Sequence, residues 1–292
     1  MEPRNQDQHK IPKVYLKKFG YLNDNNQWKV SVLNKPEDFS REKSIGSFTV
    51  EANVFDIDSD DPRIVRMFER LNGDLENQYN SILGDLDGSG SLSDVSYAYL
   101  LQLIGNLIVR SDHWKNTISD LLDTDAKETF LNIIIGHHCK SKEEFMTLKS
   151  QPFFRLLADG SVPEVINRVL LYFLDHLMVR LWNFEIVIIK AQEGKPWWTS
   201  TNPVIVHNRT GKFEILAKES EIYFPLSPQY LAYLHFSGSA DKENSLRGLV
   251  HNKIHQSDDE LNTKLQQIIL SNPAEFVICA GRVRIRKKEF IK

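Results

Sequence analysis

The sequence predicts an α+β fold, a mostly antiparallel sheet interrupted by a large helical insertion. Three observations carry that reading. Short alternating stretches near the start read as strands. From Pro62 the apolar spacing turns helical and stays so to about residue 182. From Phe184 onward, β-branched and aromatic runs return, separated by turn residues. Strands, then a block of helices, then strands again is the order of an α+β domain. A chain of 292 residues has room for one large domain with a substantial core. We expect a single domain over 1–292, with the insertion at roughly 62–182 and the sheet built from 13–60 and 184–292.

Residues 1–8 are polar, and a frayed start is expected. Pro12 suits the first turn of a helix, in which Tyr15, Leu16 and Phe19 share a face and which Gly20 can end. Gln27 to Leu33 alternates as a strand, and Ala52 to Ile57 reads as a second short one. Ile64, Val65, Phe68, Leu71, Leu75, Tyr79, Ile82 and Leu83 mark one amphipathic helix. Asp85 to Ser91 reads as a turn, after which Ser93 caps a helix through Leu100, Leu103, Leu107 and Ile108. Helices are expected at about 125–136, 142–158 and 162–182. Phe184–Lys190, Trp197–Val206, Ile222–Pro228 and Tyr230–Phe236 read as strands, with a hairpin at Asn208–Gly211 leading to Phe213–Leu216. A helix from about Ser245 to Leu270, containing Asn252, and a closing strand from Glu275 to Arg286 complete the series.

Hydrophobic residues make up 41% and charged residues 26%, the balance of a globular protein. No apolar run approaches the ~20 residues of a membrane span, and the polar N-terminus has no signal-peptide core. The two cysteines, Cys139 and Cys279, lie far apart, which fits a reducing cytoplasm and no disulfide framework. A net charge of −3 argues against broad charge-driven binding of duplex nucleic acid. No phosphate-loop, dinucleotide or nucleophile-elbow motif occurs.

The central stretch is Trp197-Trp198-Thr199-Ser200-Thr201-Asn202-Pro203-Val204-Ile205-Val206. Pro203 removes a ladder donor, so the hydroxyls and Asn202 should sit at a break between two strand pieces. Such breaks present polar groups to ligands, although Ser and Thr also bond their own backbone in turns.

Several motifs together resemble the bacterial domain-of-unknown-function family 4238. His9-Lys10-Ile11-Pro12-Lys13-Val14-Tyr15-Leu16-Lys17-Lys18-Phe19 matches its opening H-x-[IV]-P-x-x-Y-L-x-x-F. Glu76, Gln102, Arg110, Trp182, Thr199–Val204, Phe224-Pro225-Leu226-Ser227-Pro228 and Asn252 are similar to it as well. The resemblance covers 9 to about 285 and implies no established activity. The family commonly has Asp where this chain has Thr201, which implies altered or lost activity if that Asp carries charge-dependent chemistry.

The candidate site follows from these polar residues. Arg110 offers a planar fork for phosphate or carboxylate. His9 offers an acid or base near neutral pH, and Glu76 a group to orient His9 or to pair with Arg110. Gln102, Ser200, Asn202 and Asn252 supply ligand-binding hydroxyl and amide groups. The same residues also fit a buried structural network. Expected is an enzyme acting on a phosphorylated substrate, a nuclease or nucleotide hydrolase in a defence or toxin role. The alternative is a non-catalytic module that senses a small ligand through the same pocket. The expected partner is a nucleotide or RNA, with no membrane, and protein partners are left open. A divalent metal is compatible with such chemistry, but no ligand spacing calls for one. Asp85–Ser96 imitates a calcium loop yet has Ser96 where a bidentate carboxylate belongs. His251 and His255 would share a helical face without an HExxH order, and His137-His138-Cys139 point different ways. Arg282, Arg284 and Arg286 alternate along the last strand, the pattern of a solvated edge that resists strand pairing; the alternative is a basic rim formed together with Lys10, Lys13, Lys17 and Lys18.

Overall fold

A computed structural model describes residues 6–34, 39–136, 139–208, 216–238 and 245–284. The first part comprises β1 (Asp7–His9), α1 (Lys13–Phe19), β2 (Tyr21–Leu22), β3 (Trp28–Asn34), β4 (Ser40–Ser44) and β5 (Val50–Ala52). The helices α2 (Pro62–Val65), α3 (Met67–Ser89), α4 (Asp94–Arg110), α5 (Asp112–Leu122), α6 (Lys127–Gly136), α7 (Lys142–Lys149), α8 (Pro152–Asp159) and α9 (Val162–Leu181) follow. The chain returns to strands in β6 (Phe184–Lys190), β7 (Thr199–Ser200), β8 (Ile205–Asn208), β9 (Ser220–Pro225) and β10 (Tyr230–Phe236). A 3-10 turn at Ser245–Gly248, β11 (Ile254–Gln256), α10 (Asp259–Ser271) and β12 (Phe276–Ile278) end the described elements. The fold is α+β.

The strands divide among three sheets rather than one. The central sheet, of five strands, has the order β11-β6-β10-β9-β8, antiparallel except for β11 beside β6. Ala232 of β10 sits between Ile188 of β6 and Phe224 of β9. Its strands read as continuous apolar runs because both faces are covered. Ile186, Ile188, Phe224 and Leu234 join the helical core with α1, α3, α4 and α9. Val187, Ile189, Tyr223 and Leu231 pack instead with Trp197 and with Leu265 and Ile269 of α10. A second sheet runs β2-β3-β12-β7 with β4 on the other side of β3, and β1 pairs with β5.

The central stretch is where the chain changes sheets. β7 pairs with β12 in the second sheet, and β8 pairs with β9 in the central one. Thr201-Asn202-Pro203-Val204 is the crossing, and Pro203 sits where no ladder donor is needed. Two glycines are required by the backbone around them, one for a close approach and one for a left-handed cap. A Cβ on Gly20 would lie 2.6 Å from the Lys29 carbonyl. Gly90 ends α3 with φ 69°, a conformation that glycine adopts without strain.

Several elements differ from the sequence expectation. The helix from Pro62 breaks at Arg66 and then continues to Ser89, so Asp85-Leu86-Asp87-Gly88-Ser89 is helical and cannot wrap a calcium ion. Asp85 is used otherwise: its carboxylate accepts from the Ser93 N–H at 2.9 Å and from Ser93 Oγ at 2.6 Å. Ser93 does cap α4, accepting from Ser96 N–H. The Ser245–Leu270 helix is absent as such. Asn252 takes φ 51°, its N–H donates to Ile186 O at 2.7 Å, and Ile254–Gln256 adds to β6 as a strand. Tertiary strand pairing outweighs local helix preference there, and α10 starts only after the Asp258 cap. His251 and His255 therefore share no helical face. His251 Nδ1 accepts from Ile186 N–H at 3.1 Å. The closing strand stops at Ile278, and the chain turns at Gly281, φ 73°. Arg282 and Arg284 lie beyond it; Arg286, His137, His138 and residues 209–215 of the expected hairpin lie outside the described residues.

Candidate functional site

His9, Glu76 and Arg110 come into one neighbourhood, at the end of β1 and between α3 and α4. Arg110 is 3% exposed and lies 5.1 Å above the Phe55 ring. Its Nη2 donates to the His9 carbonyl and its Nη1 to Asn106 Oδ1 at 3.3 Å, while Asn106 Nδ2 donates to Asn72 Oδ1 at 3.0 Å. Both Nη groups are thus engaged by the protein's own chain, while the buried Nε has no partner among the described residues. Burial lowers the guanidinium to about 10, against the pull of Glu76 and Glu69. Burial raises the Glu76 carboxyl above its ordinary range, and Arg110 acts the other way. Among the described residues the two make no ion pair within 4.0 Å. His9 is brought down to about 4, by burial first and then by Lys13, with the Phe48 backbone carbonyl working against both. At neutral pH it is an uncharged imidazole, and its buried Nδ1 has no partner among the described residues.

Next to this cluster opens a cleft of about 280 Å³. Lys10, Lys43, Phe48, Thr49, Thr201 and Asn202 line it, together with Asp112, His113 and the 273–276 connection. Phe48 and Phe276 meet edge to face at 5.7 Å, and Lys43 Nζ lies 5.7 Å from the Phe276 ring centre. Lys10 Nζ is 2.8 Å from Glu51 and 2.8 Å from Asp112. Burial lowers the Lys10 pKa, but the two carboxylates more than restore it. Thr49 has φ 60°, an outlying conformation for a β-branched residue, and its buried Oγ1 has no partner among the described residues. Its carbonyl accepts from Lys10 N–H at 2.9 Å, which places the turn against the His9–Lys10 segment.

The other expected site residues are spread out. Asn202 lines the cleft, with Nδ2 at 3.4 Å from Pro273 O. Ser200 is buried behind it and donates to Asn202 O at 2.7 Å while accepting from Asn202 N–H at 3.2 Å. Thr201 Oγ1 accepts from Phe276 N–H at 3.1 Å, so this side chain holds the crossing to β12. Gln102 lies elsewhere, on an open groove with Leu71, Leu75, Met178 and Trp182. Asn252 is a brace: Oδ1 accepts from Leu92 N–H and Nδ2 donates to Leu92 O, both at 2.8 Å.

Two arrangements escaped sequence reasoning. Tyr15 Oη is 2.5 Å from Thr199 Oγ1 and donates to Pro225 O at 2.9 Å, and Tyr79 Oη donates to Leu226 O. The opening motif, the T-S-T-N-P crossing and the P-L-S-P turn therefore meet around one buried tyrosine. Glu221 is wholly buried and accepts from Tyr223 Oη and Tyr233 Oη at 2.9 Å and from Arg247 Nε at 3.2 Å. A lone Glu in an apolar strand was the only signal for it.

A family model described as "Protein of unknown function (DUF4238)" matches residues 7–280. The chain belongs to this family. Neither the curated proteins nor the solved structures contain a match to it. Within this DUF4238 chain, the residues of the family-like motifs fall into two sets. Tyr15, Thr199, Pro225 and Asn252 tie elements together, whereas Lys10 and Asn202 border the cleft.

Proposed function

We propose that the protein is a sensing module that binds a phosphorylated small molecule of nucleotide type in the cleft of Lys43, Thr49 and Asn202. One observation carries the reading. Thr49, which lines a polar cleft, holds a strained backbone and a buried hydroxyl without a partner among the described residues, and such features collect at ligand sites. The surroundings agree with it. Phe48 and Phe276 supply aromatic surface, Asn202 an amide edge and Lys43 a positive charge. A volume of about 280 Å³ suits a mononucleotide better than a stretch of RNA.

A catalytic reading, a hydrolase or nuclease acting on a phosphorylated substrate in defence or as a toxin, has a separate support. A neutral His9 and a Glu76 that resists ionisation are the kind of pair that acid–base chemistry uses. Against it stands Arg110, whose fork would have to leave the His9 carbonyl to hold a phosphate. The experiment is a panel of nucleotides, sugar phosphates and short RNAs, with and without magnesium or manganese, read by melting temperature and by mass spectrometry. Stabilisation without turnover supports sensing. Turnover lost in His9→Ala and Glu76→Gln supports the enzyme instead.

A further inference from the structure

We infer that the ligand is a nucleoside monophosphate, with its base edge read by Thr49 and its single phosphate met by Lys43. This rests on the cleft reading above and narrows it. Three observations lead here. The first is charge. Lys10 and Lys43 are balanced by Asp112 and Glu275 around the cleft, and Lys10 is already bracketed by Glu51 and Asp112. Among the described residues that line the cleft, Lys43 is the cation left to face a ligand, lying over an aromatic ring rather than against a carboxylate. One phosphate matches it; a triphosphate would bring further negative charge towards Asp112 and Glu275.

The second is the pattern of polar atoms. Thr49 Oγ1 is buried without a partner among the described residues, and a hydroxyl both donates and accepts. The backbone of Asn202 is pinned, its N–H by Ser200 Oγ and its carbonyl by Asn272 Nδ2 at 2.7 Å. Its side-chain Oδ1 accepts from no donor among the described residues. A hydroxyl and an amide held by rigid neighbours suit a neutral edge with both donors and acceptors, which a nucleobase presents.

The third is backbone geometry. Thr49 ends the turn between β4 and β5 at φ 60°. Glycine or asparagine would fill that conformation with less strain. A threonine there gives up stability for the position of its hydroxyl.

The test is titration calorimetry of AMP, GMP, CMP and UMP, with ATP, adenosine and inorganic phosphate as comparisons, on the wild type, Thr49→Val, Thr49→Ser and Lys43→Gln. At least one monophosphate should bind roughly tenfold more tightly than its triphosphate or nucleoside. Thr49→Val should weaken that binding by roughly tenfold and flatten the preference among bases, with Thr49→Ser restoring it. A triphosphate bound as tightly as the monophosphate, or Thr49→Val without effect, overturns the inference; if Lys43→Gln still weakens binding, the cleft reading stands. Nucleotide binding indifferent to every one of these substitutions overturns the cleft reading as well, and so does no binding by any compound.

Discussion

The hydroxyls of Tyr15 and Thr199 lie 2.5 Å apart in the core, joining α1 to β7 across 184 residues of sequence. The same tyrosine donates to Pro225 O and stacks on Phe224 at 5.5 Å. Burial pushes its phenol far above the ordinary range, so it stays protonated and remains a donor. Tyr15→Phe should cost about 1–3 kcal/mol, because Thr199 Oγ1 and Pro225 O are left buried with one partner fewer. Urea unfolding measures it, with an unchanged denaturant slope as the sign of an intact fold. A variant as stable as the wild type would remove this joint from the account.

His9 makes the stability depend on pH. Its folded value, about 4, lies below the unfolded 6.5, chiefly through burial and Lys13. Above 6.5 both states hold a neutral ring and nothing is lost. As pH falls from 6.5 towards 4 the unfolded state takes up the proton first, and stability declines. A shift of this size is about 3 kcal/mol on a fully buried group; for a half-buried ring, solvent screening leaves about 1–2 kcal/mol. His9→Asn should flatten the curve between pH 6.5 and 4 in a series of urea titrations.

Thr49→Gly exchanges strain for chain entropy. A left-handed β-branched residue costs about 1–2 kcal/mol, and glycine's extra unfolded freedom about 0.5–1 kcal/mol. The variant should be as stable as the wild type, or more stable by up to about 1 kcal/mol, while losing ligand affinity. A clear loss of stability would mean that the hydroxyl serves the fold.

Asn252 separates brace from ligand group. Asn252→Ala gives up both bonds to Leu92 and meets a left-handed backbone, so about 2–3 kcal/mol of stability should go. Ligand affinity, measured well below the new melting temperature, should not change.

The fold class was legible because it rests on periodicity. Trp28–Asn34 alternates, Phe184–Lys190 and Tyr230–Phe236 carry apolar runs, both patterns that a sheet uses, and Ser93 signals its own helix. What failed to show was decided by distant partners. Ser40–Ser44 is a polar strand fixed by pairing with β3. Ile254–Gln256 is a strand only because β6 lies beside it. The candidate site was half legible for the same reason. Asn202 stood out at its proline break, but Lys43 lies in a polar strand and Thr49 in the turn that follows it, where the strained backbone exists only in three dimensions. Gln102, polar among apolar neighbours, and Asn252, between His251 and Lys253, look the same in sequence whether they face a ligand or another part of the chain.

Hydrogen exchange with and without the monophosphate that binds most tightly tests the central claim most directly. Ligand should protect amides in 43–50, 201–202 and 273–276, the segments that line the cleft. Protection confined to the Gln102 and Trp182 groove, or none in those three segments, would contradict the account.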